Sequence, residues 1–232
     1  MGLAQLTETA LFRGIAPGEA EKMLDCLGAE RRRYPKGAQI YRTGETVSAL
    51  GMVLSGRALI ESIDLWGSAA VLDSVGPGQI FGEAYACVPG EPLMVDVTAA
   101  EAAEVLFLRM DRVLQTCADA CGFHSRLIRN LLTISAQKNL TLSRKILHTS
   151  AKSIRGRLLS YLSDQAIHSG SRSFTIPFDR QRLADYLNVD RSALSNELCK
   201  MRDEGLLRFD RSRFELLVEM PITENEPDPN DE

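Results

Sequence analysis

Between Arg31 and Leu108 the chain alternates short apolar runs (AQIYR, ALGMVLSG, RALIESI, AAVLDSV, VDVTA, AEVLFL) with the turn signals PKG, TGE, SGR, LWGS and GPGQ. Runs this short and closely spaced predict an antiparallel β-roll or barrel rather than strands alternating with helices. Ahead of them, LFRGIAPGEAEKMLDCL sets Leu11 and Phe12 before Pro17-Gly18 and then Met23, Leu24 and Leu27 at helical spacing, which predicts short helices. After Met110 glycine nearly disappears. Residues 122–148 carry Phe123, Leu127, Leu131 and Ile134 on one stripe and Ile128, Leu132 and Ser135 on another. A helix with two apolar faces needs two partners. The roll is one; the same helix of a second subunit is the other, as in a coiled coil, with burial on both sides inside one chain as the alternative. Phe123, Leu127, Leu131 and Ile134 are assigned to the dimer seam. A further helix over about Ser150–Ser169 starts at a serine and stops at Ser169-Gly170.

Residues 180–198, RQRLADYLNVDRSALSNEL, place Leu183, Ala184, Leu187, Val189, Leu194 and Leu198 where two helices joined by a tight turn would bury them. Ala184 is small where the second helix crosses. Asn188 tolerates the left-handed turn conformation, and Asp190 is placed to cap the second helix. From its first turns that helix projects Arg191, Ser192, Ser195 and Asn196 away from the buried face. These side chains suit base edges in a major groove: arginine pairs with guanine, asparagine with adenine, and serine with either. Arg180 and Gln181, at the start of the first helix, are expected on the DNA backbone. Downstream, Leu206, Leu207, Phe209, Phe214, Leu216 and Val218 form two short strands around Asp210-Arg211-Ser212-Arg213. That hairpin carries Arg211 and Arg213 at its tip as further backbone contacts, and makes the motif a winged helix-turn-helix.

Charge changes the picture only through its distribution. The formal net charge is −4 over 232 residues, which argues weakly against a polyanion partner. Residues 150–219, however, carry twelve Lys/Arg against ten Asp/Glu, while the tail PITENEPDPNDE holds five acidic residues and no basic one. Such a tail cannot bury enough apolar surface to order itself. No run of eighteen apolar residues occurs and the first thirty residues have no charged-then-apolar leader, so a soluble cytoplasmic protein with no membrane partner is expected. Cys26, Cys87, Cys117, Cys121 and Cys199 are odd in number and scattered, which predicts free thiols.

A β-roll, one long helix and a C-terminal winged helix-turn-helix together resemble the Crp/Fnr family of bacterial transcription regulators. The resemblance spans residues 5 to about 218 and rests on GPGQIFGEAYA at Gly76–Ala86 and DRSALSNELCKMRDEGLL at Asp190–Leu207. It implies homodimerisation through the long helix, palindromic double-stranded DNA operators and contact with RNA polymerase. The implied α+β organisation has four parts. A sensing roll of the cyclic-nucleotide-binding, jelly-roll type with N-terminal helices covers 1–121, and a dimerisation helix covers 122–149. A winged helix-turn-helix follows over 150–219, then a disordered acidic tail over 220–232.

The resemblance also implies where an effector pocket lies: Gly82, Glu83, Leu93, Met94, Leu142 and Ser143. In cyclic-AMP-binding members an Arg-Ser pair takes the phosphate, and a Thr-Ser pair of the long helix caps the base. Here Leu93-Met94 and Leu142-Ser143 stand at those positions. Neither Leu93 nor Met94 can neutralise a phosphate, so cyclic AMP is not the expected ligand, and the small effector or redox signal that the roll receives remains open. Arg33, Arg57 and Arg109 could bring charge from elsewhere, but read first as solvated strand ends. An iron–sulfur cluster needs cysteines ahead of the roll, where only Cys26 stands. Haem would need a ligand in the roll, while His124, His148 and His168 all lie outside it. Cofactor identity is therefore unknown. No nucleophile–base set, P-loop or HExxH pattern speaks for an enzyme. A roll that regulates a protein partner is the alternative reading, and the complete winged motif argues against it.

Overall fold

The computed structural model describes residues 2–63, 69–114 and 122–217. Cys117, Cys121, Val218 and the acidic tail lie outside them. The chain forms two compact units, Met1–Lys138 and Asn139–Glu232. That boundary falls within the long helix, not at either of its ends.

The first unit opens with α1 (Leu3–Thr7) and α2 (Pro17–Cys26), followed by β1 (Glu30–Tyr34), β2 (Gln39–Tyr41), β3 (Ala49–Ser55), β4 (Ala58–Ile63), β5 (Ala69–Val75) and β6 (Ile80–Phe81). The short α3 (Glu83–Ala86), β7 (Asp96–Ala99), β8 (Ala103–Arg109), α4 (Met110–Leu114) and the long α5 (Gly122–Ser150) complete it, α5 running on into the second unit. The strands make two four-stranded sheets, ordered β1-β8-β3-β6 and β2-β7-β4-β5, with antiparallel pairing in each. This is the roll that the turn spacing predicts.

ALGMVLS and AEVLFLR read as near-continuous apolar runs because β3 and β8 are buried on both faces. Leu50, Met52 and Leu54 of β3, with Leu106 and Leu108 of β8, pack outward against Leu11, Phe12 and Ile15, and against Leu127 and Leu131 of α5. Val53, Val105 and Phe107 turn inward to meet Val97 and Phe81 between the sheets. Gly51 fits this layer only without a side chain, since a Cβ there would lie 2.3 Å from the Phe81 ring. The edge strand β1, ERRRY, is almost wholly exposed. Charge on an edge suits a strand that must not pair with another chain, and it also hides the strand from an apolar-pattern reading.

Here the seam assignment is corrected. Leu127 is fully buried, Leu131 is 4% exposed, and Phe123 and Ile134 pack beside them on the chain's own core. Asn130 reinforces that face by donating to the carbonyls of Leu11 and Arg13, both at 2.9 Å, and Arg126 donates to the carbonyl of Gly14. The opposite stripe is exposed: Leu132 at 69%, Leu142 at 62% and Ile146 at 67%. Both stripes have the same spacing, and contact with the roll decides which one is consumed.

The second unit begins with the end of α5 and continues through α6 (Ile154–Ser169), β9 (Ser173–Thr175), α7 (Arg180–Leu187), α8 (Arg191–Asp203), β10 (Leu207–Asp210) and β11 (Arg213–Leu216). The start expected at Ser150 is corrected: the Ser153 hydroxyl caps α6 by accepting from the Gly156 amide at 3.0 Å, while Ser150 ends α5. Gly170 closes α6 at φ +61°, a conformation that favours glycine. Leu158, Leu162, Leu183, Leu187, Leu194, Leu198, Met201 and Phe214 share one core. The wing has a third strand beyond the expected pair, in the order β10-β11-β9, with Phe174 opposite Phe214.

Candidate DNA-reading surface and effector site

Capping and turn chemistry set the two helices of the reading motif. Asp179 accepts from the Arg182 amide and Asp190 from the Ala193 amide, each at 2.8 Å. Between them Asn188 holds φ 54°, ψ 55°, the left-handed geometry its position requires. Arg157 of α6 donates to the carbonyls of Leu187 and Asn188 at 3.0 and 2.9 Å, satisfying the end of α7. Arg155 bridges Glu197 at 2.6 Å and both oxygens of Glu204 at 2.7 and 2.8 Å, fastening α6 to α8. No local pattern announces Arg155 and Arg157 as positioning residues, because their partners lie 30 to 49 positions away.

With Leu194, Leu198 and Met201 buried at i, i+4 and i+7, the opposite face of α8 is solvent-facing. It presents Arg191, Ser192 and Asn196 exposed and Ser195 half-buried. The Ser195 hydroxyl donates to the Arg191 carbonyl at 2.9 Å, so toward a base it is free only to accept. Gln181 spends an amide hydrogen on Asp185 at 2.8 Å. Arg180 departs from its expected place: its guanidinium lies over the rings of Phe209 at 4.7 Å and Phe214 at 5.3 Å and is half-buried. A flat, weakly hydrated cation suits such rings, so Arg180 clips α7 to the wing. Arg211 is exposed in the hairpin turn at φ 50°, and Arg213 is exposed opposite Asp210.

Near the base of this motif His148 is 1% exposed. Its Nδ1 lies 2.9 Å from the Tyr186 hydroxyl and its Nε2 3.5 Å from Asp164. Burial, opposed by Asp164 and reinforced by Arg144 and His168, holds its pKa below the usual 6.5. The unfolded chain therefore binds the proton first, and neutral His148 contributes stability that is fully present above about pH 6.5 and drains away as pH falls from there toward its folded pKa. Thermal unfolding should show the second unit losing stability as pH falls below about 6.5. A His148→Gln variant should flatten that slope, and an unchanged slope would assign it to other groups. The carboxylates held low by arginines, Glu30, Asp111 and Glu204, lose their contribution only at lower pH.

In the roll, Gly82 takes φ +73° and turns the chain so that Glu83 starts α3 almost fully buried. Lys138 then occupies that carboxylate, its Nζ 2.6 Å from Glu83 Oε1 and 2.8 Å from the Ile80 carbonyl. Leu93 is 2% exposed and Met94 72%, one turned into the core and the other to solvent. Leu142 is exposed, and the Ser143 hydroxyl donates to Asn139 at 3.3 Å; both belong to the second unit. Phe81, Phe107 and Tyr41 fill the space between the sheets, with centroids 5.7 Å apart for Tyr41–Phe81 and Tyr41–Phe107. Arg33, Arg57 and Arg109 have partners already in Glu104, Ser74 and Asp111. His124 is buried with its Nε2 3.3 Å from the Arg112 carbonyl. Burial and the neighbouring Glu83 charge push the Cys87 thiol up, away from the reactive thiolate. Among the described residues no His/Cys/Asp/Glu group could hold a metal ion, and no helix is long and apolar enough to cross a membrane.

A capped, winged helix-turn-helix joined through a long helix to a two-sheet roll is the plan of a DNA-binding transcription regulator with an effector-binding domain. Comparison with known proteins agrees. Residues 31–120 match the cyclic nucleotide-binding domain family, and residues 156–219 the Crp-like helix-turn-helix domain family. The chain is 36% identical over 98 residues to the cyclic AMP receptor protein of Thermus thermophilus, a match covering 42% of this chain and 44% of that protein. It is 26% identical over 193 residues to the CRP-like protein Clp of Xanthomonas campestris, covering 77% and 80%. Among solved structures, CprK complexed with OCPA shares the fold at TM-score 0.57 and 17% identity over 85% of this chain and 92% of that one. The c-di-GMP responsive regulator CLP of Xanthomonas campestris does so at 0.52 and 20%, over 88% and 100%. The chain belongs to the Crp/Fnr family of transcription regulators.

Proposed function

We propose that the protein is a cytoplasmic homodimer, and not an enzyme, that binds a palindromic operator and is controlled through its roll by a small effector other than cyclic AMP. The observation that carries this reading is the division of α8 into a buried Leu194–Leu198–Met201 face and an exposed Arg191–Ser192–Asn196 face. Arg191 and Asn196 are the base readers, Ser192 and Ser195 assist, and Gln181, Arg211 and Arg213 hold the phosphates. Arg180 keeps the wing in place beneath them. Two such helices, joined through paired α5 helices, would meet half-sites one DNA turn apart. RNA polymerase is the expected protein partner, as the family implies.

The exclusion of cyclic AMP is supported by the divergence of Leu93 and Met94 and by the engagement of Glu83 with Lys138. Relatives are named for cyclic AMP and c-di-GMP, which leaves the ligand chemistry of this chain to its own residues. Operator selection from random duplexes, followed by titration with and without cyclic AMP, tests the whole reading. Arg191→Ala is expected to lose about 1–3 kcal/mol on the selected site and to relax preference at one base pair per half-site, with cyclic AMP changing nothing. A uniform loss over all sequences would make Arg191 a phosphate contact. Enhancement of binding by cyclic AMP would refute its exclusion, and failure to select any sequence would refute the regulator reading.

A further inference from the structure

We propose that the second unit holds a small-molecule site of its own, for a monocyclic aromatic carboxylate, where the end of α5 meets α6, α7 and the segment after β9. A cavity of about 300 Å³ opens there, at the small end of the range for ligand sites, about 300–1,000 Å³. One ring with a short acidic substituent fits that volume.

Three observations select the ligand. The first is an unmet need for hydrogen bonds. Among the described residues, the buried side-chain atoms without a hydrogen-bond partner are His148 Nε2 and Tyr161 Oη, and both residues line this cavity. Buried polar groups in folded proteins are nearly always satisfied, so two orphans beside one cavity point to a missing occupant.

The second is shape. Phe178 and Tyr186, both half-buried, present ring surface at this wall with centroids 5.1 Å apart, and Tyr161 backs them at 5.4 and 6.0 Å. Such walls favour a planar ring in offset or edge contact.

The third is charge, and it decides between an anion and a cation. Asp164 is the carboxylate at this cavity, and it is already paired with His168 Nδ1 at 3.2 Å, while His148 Nε2, 3.5 Å away, makes no hydrogen bond to it. Arg144 faces the same space, its charge acting on both His148 and Tyr186, and it has no ion-pair partner among the described residues. Aromatic walls with a free carboxylate would suit an ammonium ligand; with a free guanidinium they suit a carboxylate.

Ligand-observed NMR on the full chain, titrated with benzoate, phenylacetate, cyclohexanecarboxylate and benzylamine, tests the proposal. Benzoate or phenylacetate should bind saturably and benzylamine should not, while the saturated-ring acid should bind more weakly than the aromatic ones. Arg144→Gln, at an exposed position that leaves the fold intact, should weaken the aromatic acids about ten- to a hundredfold, the range of a hydrogen bond to a charged group. Arg33→Gln in the roll should leave binding unchanged. Absence of saturation by about 10 mM, far weaker than an ordinary ligand site, would overturn the proposal. So would affinity that survives Arg144→Gln or falls with Arg33→Gln, the latter placing the acids in the roll.

Discussion

Ile146→Asp is expected to turn the proposed dimer into a monomer. On α5, Leu132, Leu142 and Ile146 are large apolar side chains exposed by 62–69%, and with Ile128, Ser135 and Asn139 they follow the alternating four–three spacing of a coiled-coil seam. A carboxylate inside such a seam must either lose its hydration or hold the helices apart, and an isolated buried charge is among the largest penalties a contact can carry. Sedimentation at micromolar concentration should show the wild type at twice the mass of the variant. Operator affinity should fall with it by about 10²–10⁴, because the second half-site no longer benefits from the linkage of two heads. Leu131→Asp supplies the contrast: its side chain lies in the roll's own core, so that variant should lose folding rather than dimerisation. An Ile146→Asp protein that stays dimeric would locate the interface elsewhere.

Gly56→Ala is expected to destabilise the roll more than a methyl group added at any other described turn glycine of the roll. Gly56 has φ +75°, and a Cβ there would lie 2.3 Å from the Ala102 carbonyl oxygen and 2.8 Å from the Ala103 Cα. The left-handed conformation alone costs alanine about 1–2 kcal/mol. The clash adds to this because its partner is backbone at the start of β8, which cannot rotate away. Gly37→Ala separates the two effects, since Gly37 has φ +79° with nothing within 4 Å of the added carbon. Calorimetry should show a modest drop in Tm for Gly37→Ala, of about 2–4 °C per kcal/mol, and a much larger one for Gly56→Ala. Equal drops would mean that the Ala102 segment yields.

What the sequence reveals follows the range over which each feature is determined. Asn188 in its left-handed turn and Asp190 as a cap are local decisions, and both are legible from residue type. The runs of β3 and β8 are legible as strands because two-sided burial removes the polar positions that would make them ambiguous. The charged ERRRY strand escapes notice because its partner, β8, supplies the apolar contact while its own side chains face water. The helix expected from Ser150 starts instead at Ser153, because residue type alone does not say which serine hydroxyl reaches an open amide, here that of Gly156. The two stripes of α5 are likewise indistinguishable until the roll consumes one. Of the site, the exposed face of α8 was legible. The stacking of Arg180 on Phe209 and Phe214, and the capture of Glu83 by Lys138 across 55 positions, were not, because each depends on a partner that only the tertiary fold brings near.

The placement of β3 and β8 between two cores also bears on how the first unit opens. Each of these strands would have to leave both apolar layers before its backbone amides met water, and they are paired with each other over most of their length. Their amide protons should therefore be the slowest in the unit to exchange with solvent, released only when the whole roll unfolds. Exposed β1 and the hairpin of β4 and β5 can fray and reclose around that spine without disturbing it.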